Sequence, residues 1–534
     1  MRFLPVNLSS LMVELQSLEQ TMALTDSLNE MPIKGVVEIT PAARTILVRF
    51  NPVIVTANDL VRQISIRDVN KVTSKTSQLV TIPVHYNGED LVEVAEILGI
   101  SVDEVIRRHT ENEYQVAFSG FAPGFGYMVS KGAQLYVPRR QSPRVRIPAG
   151  SVALAGEFSS VYPQASPGGW QLIGMTDLVM WDINRPEPAL VKAGSRVNFT
   201  DAAKSHVSYS LPQKTKETVR SQTLANDLTV LATGLQTLFQ DLGRIGQSAL
   251  GISESGAMDK TALYSANRLV GNRSDETALE ITLGGFKARA NKDLIIAITG
   301  APCEIEITTE NKEQYKGQVY QTIHLAKGDV LTLGRPTKGV RSYLAIRGGF
   351  NIAPVLSSCS FDTLAQVGPQ PLTAGQGLAI KNTSTLHAIS INETPAFDYP
   401  SADDVVVLDV VLGPRTDWFT QQAIELLTNQ LWKVTAASNR IGLRLLGEQP
   451  FERKITQELP SEGTCIGAIQ VPANGQPVLF LNDHPLTGGY PVIGTVCEYH
   501  LDLAGQIPVN AQIRFNPLGE FKQLQGSDCA YENE

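Results

Sequence analysis

The stretch from Phe118 to Gly174 sets what this chain can fold into. It reads FSGFAPGFGYM, then VPRRQSPRVRIPAGSVALAG, then VYPQASPGGWQLIG, with Gly, Pro and aromatic residues at a density that core strands avoid. Proline cannot donate to a sheet ladder, and glycine weakens a strand unless a tight bend or a close approach needs it. Between these turns lie Arg139, Arg140, Arg144 and Arg146 with no acidic residue among them. Glycine-rich turns beside guanidinium forks suit a carboxylate or phosphate. They equally suit surface loops around a barrel, with the arginines solvated or paired from elsewhere.

At 534 residues the chain exceeds one core, so two to four domains are expected. With 43 Gly, 30 Pro and 18% charged residues it is a globular, strand-and-turn-rich protein. A net charge of -8 gives no basic footprint, so a nucleic-acid partner is not expected. The cysteines (303, 359, 465, 497, 529) are scattered and never form CxxC, which fits a reducing compartment without zinc or a disulfide frame. MRFLPVNLSS has no apolar signal core and no run approaches a membrane span. A soluble, cytoplasmic protein with no membrane partner is expected.

In chain order, Leu11 to Leu28 shows helical spacing, 36–39 and 45–50 read as strands, and Asn58 or Asp59 caps a short helix through Ile64. Leu79 to His85 returns as a strand. Two helices split at Gly99 follow, the second opened by a Ser101/Glu104 capping box. Strands and turns then run to Phe199. Residues 201–227 are polar and read as a linker. The two sides of that linker share a pattern. Gly168-Gly169-Trp170 with Ile173-Gly174 recurs as Gly488-Gly489-Tyr490 with Ile493-Gly494. Each copy has a Pro-Ala turn before it (Pro148-Ala149, Pro472-Ala473) and a strand after it (Arg196 to Phe199, Gln512 to Phe515). One barrel-like β-domain used twice explains the repetition.

The residues GFAPGFGYM, PRRQSPRVRIPAGSVALAG and SPGGWQLIG resemble allophanate hydrolase subunit 1, the family of the B component of 5-oxoprolinase. LFQDLGRIG, SGAMDKTALYSANRLVGN, ALEITLGG, YLAIRGGF, EGTCIGAIQVP and LTGGYPVIGTV resemble the partner family, allophanate hydrolase subunit 2 or the C component of 5-oxoprolinase. The pair together is similar to the carboxyltransferase domain of urea amidolyase. The resemblance implies an α+β, β-rich fold with a cyclophilin-like β-barrel in each half. The expected division is a small α+β domain over 1–85, a barrel over 86–200, the linker over 201–227, a subunit 2-like region over 228–525 and a tail over 526–534. It implies ATP-dependent opening of 5-oxoproline to glutamate through phosphorylation of the lactam oxygen. ATP with magnesium would be the cofactor, and the separate A component of 5-oxoprolinase the partner. Alternatives are carboxyl transfer with a biotin-bearing partner, or a non-catalytic kinase-regulating protein; homo-oligomerisation is left open. There is no P-loop and no Met-Lys-Met biotin-attachment motif in the chain.

Candidate binding residues in the first half are Phe121, Pro123, Gly124 and Phe125 at one turn, the clamp Arg139, Arg144 and Arg146, and Gly168, Gly169 and Trp170. His109 reads as a helix-end cation or a base. In the second half Asp241, Arg244, Ser255, Asn267, Arg440, Thr487, Gly488, Gly489 and Tyr490 are binding candidates, and Asp259, Glu280 and Asp483 are catalytic candidates with no metal site expected. Asp259 is alternatively a helix N-cap, and Glu280 a buried acid paired with a partner such as Arg244. Arg440 and Arg444 share a face if helical. Where the family pattern carries glutamine, arginine, aspartate and arginine, this chain has Phe158, Cys359, Asn439 and His484. Turn residues are kept while polar groups change.

Overall fold

The computed structural model describes residues 1–70, 79–140, 142, 144–204, 226–381 and 386–525. Most of the expected linker, the tail with Cys529, and Gln141 and Pro143 of the arginine stretch lie outside the described residues.

The first unit is an antiparallel sheet in the order Arg2–Asn7, Ser10–Glu14, Thr45–Phe50, Val36–Pro41, covered by helices Leu18–Glu30 and Ala57–Ser65. The helix expected from Leu11 is a strand to Glu14, and begins only after Ser17, whose hydroxyl caps Gln20 N. The second helix is capped by Thr56 rather than Asn58 or Asp59.

The strand Leu79–Val84 leaves that sheet and pairs in parallel with Arg196–Asp201 inside the next one, so the first barrel begins at Leu79. Its seven strands close through His85, which exchanges backbone hydrogen bonds of 2.7 and 2.9 Å with Met175. Helices Leu91–Leu98 and Val102–Thr110 lie between its first two strands, with Gly99 in the left-handed region that lets the chain turn between them. Ser101 caps Glu104 N, but the Glu104 carboxylate turns to Arg107 and Arg108, so only half of the expected capping box forms.

The second barrel is closed by the strands Val405–Leu412, Trp432–Val434, Gly442–Leu446, Ala468–Gln470, Val478–Phe480, Val492–Val496 and Gln512–Pro517. Its strand order repeats the first barrel's, including the parallel pairing of the first and last strands. A small side hairpin also recurs: Arg144–Ile147 with Ser166–Gly168, and Glu462–Gly463 with Thr487–Gly488. The two Gly-Gly-aromatic motifs therefore occupy equivalent corners. The Pro-Ala turns do not, because Pro148 precedes the strand Ser151–Ala155 whereas Pro472 follows its counterpart Ala468–Gln470. Arg444 lies in a strand, so its expected helical pairing with Arg440 does not form.

Between the barrels, residues 228–378 form six- and five-stranded sheets packed through Phe239, Phe286, Ile296 and Leu344, with helix Lys260–Val270 against the five-stranded sheet. The first unit docks onto the second barrel, where Leu4, Met12 and Leu47 pack with Cys465, and Arg415 joins Glu14 at 2.7 Å. No helix among the described residues is long and apolar enough to cross a membrane.

Candidate functional site

The halves meet along the turn at 120–125. Gly124 N donates to Leu250 O (3.1 Å) and Phe121 N to Thr487 Oγ1 (3.0 Å). Phe121 holds φ 64, and a Cβ on Gly120 would stand 2.5 Å from Thr487 Oγ1, so only glycine permits this approach. Phe125 and Trp170 pack edge to face, with Pro123 and Gly124 carrying the corner between them and the second half.

Near this seam a cavity of about 160 Å³ opens between the first unit and the second half. Arg49 contributes from the strand Thr45–Phe50, Glu254 and Lys260 from either end of the SGAMD segment, and Cys465 and His484 from turns of the second barrel. Glu254 pairs with Arg49 and lies 3.3 Å from Lys260 Nζ. Burial alone would raise this carboxyl, but Lys260 and Arg49 outweigh it and hold Glu254 below the usual range. Burial pushes His484 down to about 4, and its Nδ1 has no partner among the described residues. That imidazole is neutral at ordinary pH, and its Nδ1 is buried. Burial pushes the Cys465 thiol up to about 12, so it stays protonated and is no nucleophile. Glu38, which also pairs with Arg49 at 3.3 Å, and Glu498 complete the charged lining, so the cleft combines three carboxylates, two cations and a neutral imidazole.

Beneath the cleft lies a buried charge network. Asp483 accepts from Arg440 Nε (2.9 Å), Ser255 Oγ (2.7 Å) and Thr363 N (2.9 Å). Burial favours its neutral form, yet Arg440 holds it below the usual carboxylate range. Glu280 accepts from Tyr343 Oη (2.7 Å), Met258 N (3.0 Å) and the same Arg440, rather than from Arg244 as expected. Arg244 instead donates to Ser360 O and leaves Nε and Nη1 without partners among the described residues. Asp259 caps the helix through Ala262 N (2.8 Å) and, raised to about 7 by burial and Asp502, meets Gln506 and Tyr399. The three catalytic candidates therefore support the site from below and do not line the cleft.

Other candidates are structural in their contacts. Arg144 donates to both Asp90 oxygens (2.7 and 2.9 Å), and Arg140 to the same carboxylate. Arg146 is exposed and has no ion pair among the described residues, so the clamp is not assembled. Arg139 crosses the seam to Glu458 (3.1 Å) and Ser461, beside Gly489. Asp241 ties Ser358, Cys359 N and Ser360 into one loop, and Asn267 binds the Glu276 carbonyl (2.6 Å). Gly168 faces the Tyr162 hydroxyl, the Gly169 carbonyl accepts from Arg140 N, and Gly488 stands against Gln470. Tyr490 is exposed under Arg453. His109 bonds Tyr86 and Ser159 and is driven to about 3 by burial, so it is a neutral core residue rather than a helix-end cation. Phe158 packs edge-on against Phe118 and Tyr127. Sequence reasoning missed Arg49, Glu254 and Lys260. An arginine inside the apolar run TILVRF was the available signal.

Residues 1–191 match the carboxyltransferase domain, subdomain C and D, and residues 250–517 match the carboxyltransferase domain, subdomain A and B. The chain is 35% identical over 291 residues to the C component of 5-oxoprolinase from Escherichia coli (strain K12), covering 54% of this chain and 90% of the relative. It is 40% identical over 191 residues to the B component of 5-oxoprolinase from Escherichia coli O157:H7, covering 35% of this chain and 87% of the relative. The solved structure of TTHA0988 is similar along 95% of this chain and 99% of its own, with 30% identity and a TM-score of 0.80.

Proposed function

Because the chain belongs to the carboxyltransferase-domain family, with both subdomain pairs in one polypeptide, we propose that it is the fused B–C component of an ATP-dependent 5-oxoprolinase. Together with a separate A component it opens the lactam of 5-oxoproline to glutamate. One observation carries the reading: the cleft draws Arg49 from the B-like half and Glu254, Lys260 and His484 from the C-like half, so it exists only where both are joined.

The cleft suits a small lactam. Its volume of about 160 Å³ lies below the usual range for drug-sized ligands. Lys260 and Arg49 stabilise charge that develops on the lactam oxygen. The neutral His484 imidazole forms part of the wall beside the lactam, and Glu254 holds both cations in place. ATP held outside this cleft would supply activation of the carbonyl oxygen by phosphorylation. The cleft does not fit the nucleotide itself, since it is small, its carboxylates Glu38, Glu254 and Glu498 repel a polyphosphate, and no cluster of His, Cys, Asp and Glu suited to a metal occurs among the described residues.

Carboxyl transfer to urea from a biotin-bearing partner is the second reading, favoured by the carboxyltransferase description of both matched domains. The deciding assay is glutamate formation by the purified chain with ATP, 5-oxoproline and the A component. Product that requires every ingredient, and is lost in Lys260→Ala, supports the proposal. Absence of product, with an A component proven competent beside separate B and C components, overturns it.

A further inference from the structure

A second, larger cavity of about 750 Å³ lies between the 228–400 region and the second barrel. We propose that it binds a small organic anion with an apolar body. Its lining includes Arg335, Arg341 and Arg440 but no Asp, Glu or Lys. A cavity of one charge sign with low-dielectric walls concentrates the opposite sign. Leu283, Val340, Leu443 and Ile507 supply apolar wall, beside uncharged polar groups such as Gln236, Thr282 and Ser438. This volume falls within the range of ligand sites, whereas the cleft described above does not.

The three guanidinium groups differ in what they can still bind. Arg440 is fully occupied by Asp483, Glu280 and the Gly256 carbonyl, and forms the floor. Arg341 is buried and donates Nη1 to the Gly505 carbonyl. Its Nε lies 3.5 Å from Glu280 and makes no hydrogen bond there. Arg335 is exposed at the rim and has no carboxylate partner among the described residues. Asn439 adds a donor, because its Oδ1 is held by Ile441 N (2.9 Å) and its Nδ2 has no hydrogen bond among the described residues. Leu235, 74% exposed at the opening, gives the rim an apolar face for the body of the ligand. An oxyanion held by Arg335 and Asn439, with its apolar part against the walls, satisfies each of these groups.

The site is separate from the cleft, with the buried network between them. Arg440 forms the floor of one and binds Asp483, whose neighbour His484 lines the other. The inference does not depend on the proposed activity.

The test uses the intact chain alone, titrated with 1-anilinonaphthalene-8-sulfonate, an apolar anion that fluoresces in dry sites. One saturable site per chain is expected, weakened about tenfold or more in Arg335→Glu and in Leu235→Glu. Both side chains are exposed, so both variants are expected to fold, which a circular dichroism spectrum checks. Uncharged N-phenyl-1-naphthylamine should bind more weakly than the sulfonate. Displacement by ATP would identify a nucleotide as the source of the anion, and displacement by 5-oxoproline or glutamate an amino-acid-derived acid. No saturable binding, equal binding by both variants, or equal affinity for the neutral probe would overturn the proposal. Because no turnover is measured, this result and the glutamate assay can fail independently.

Discussion

Replacing Arg440 with Met removes the cation that Asp483 and Glu280 share. The guanidinium donates to Asp483 at 2.9 and 3.0 Å, to Glu280, and to the Gly256 carbonyl at 2.7 Å. Asp483 is 0% exposed and Glu280 1%, so water cannot take over either bond. Breaking a buried pair from one side costs about 3–5 kcal/mol. At roughly 2–4 °C per kcal/mol for a unit of this size, the melting temperature should fall by about 6–20 °C. Glu280 keeps Tyr343 and Met258 N, and Asp483 keeps Ser255 and Thr363, which places the outcome toward the smaller end. Calorimetric melting of wild type, Arg440→Met, Asp483→Asn and the double variant at neutral pH measures the loss and its coupling. The double variant should be less destabilised than the sum of the two singles, because it strands one charge fewer. A drop below about 2 °C, or strict additivity, would refute the network as the support of the site.

Asp362 is raised to about 7 by burial and by the nearby Asp483, against about 3.9 when unfolded. The native state therefore holds this proton more tightly, and stability falls as pH rises from about 4 to about 7, then levels off. Asp362→Asn keeps an acceptor for Leu364 N and Ala365 N and should melt higher than wild type at pH 8, with little gain at pH 4; melting curves across that range check the sign. His484 is neutral above about 4, so the pH–rate profile should carry no inflection from it between pH 5 and 8, and His484→Phe should lower turnover about tenfold or more by filling the cleft and displacing the substrate. Gly120→Ala should destabilise the seam by on the order of 1–3 kcal/mol, with partial rescue by Thr487→Ala, read by chemical denaturation.

The barrels were legible because closed sheets need glycine corners, and the Gly168 and Gly488 corners recur where their side hairpins do. Local signals also held: Ser101 caps its helix, and Gly99 takes the left-handed turn. What the sequence hid was partnership across long separations. Arg144 finds Asp90 fifty-four residues upstream, and Glu280 finds Arg440 one hundred and sixty residues downstream. No periodicity encodes such pairs, because tertiary packing chooses them. The helix expected from Leu11 failed similarly: Leu11 and Val13 pack into the first unit's core from a strand, and sheet pairing overrode the helical spacing. Polar candidates chosen for their motifs turned out to hold loops, while the charged lining of the cleft lay at motif edges, at Glu254 and Lys260.

The most direct test of the central claim is calorimetric titration of 5-oxoproline into the intact chain, into His484→Phe and into Arg146→Ala. The cleft between the halves predicts one site in wild type, lost when phenylalanine fills the cavity and unchanged without the exposed arginine. Binding that survives His484→Phe but disappears with Arg146→Ala would place the substrate on the arginine stretch and contradict the account.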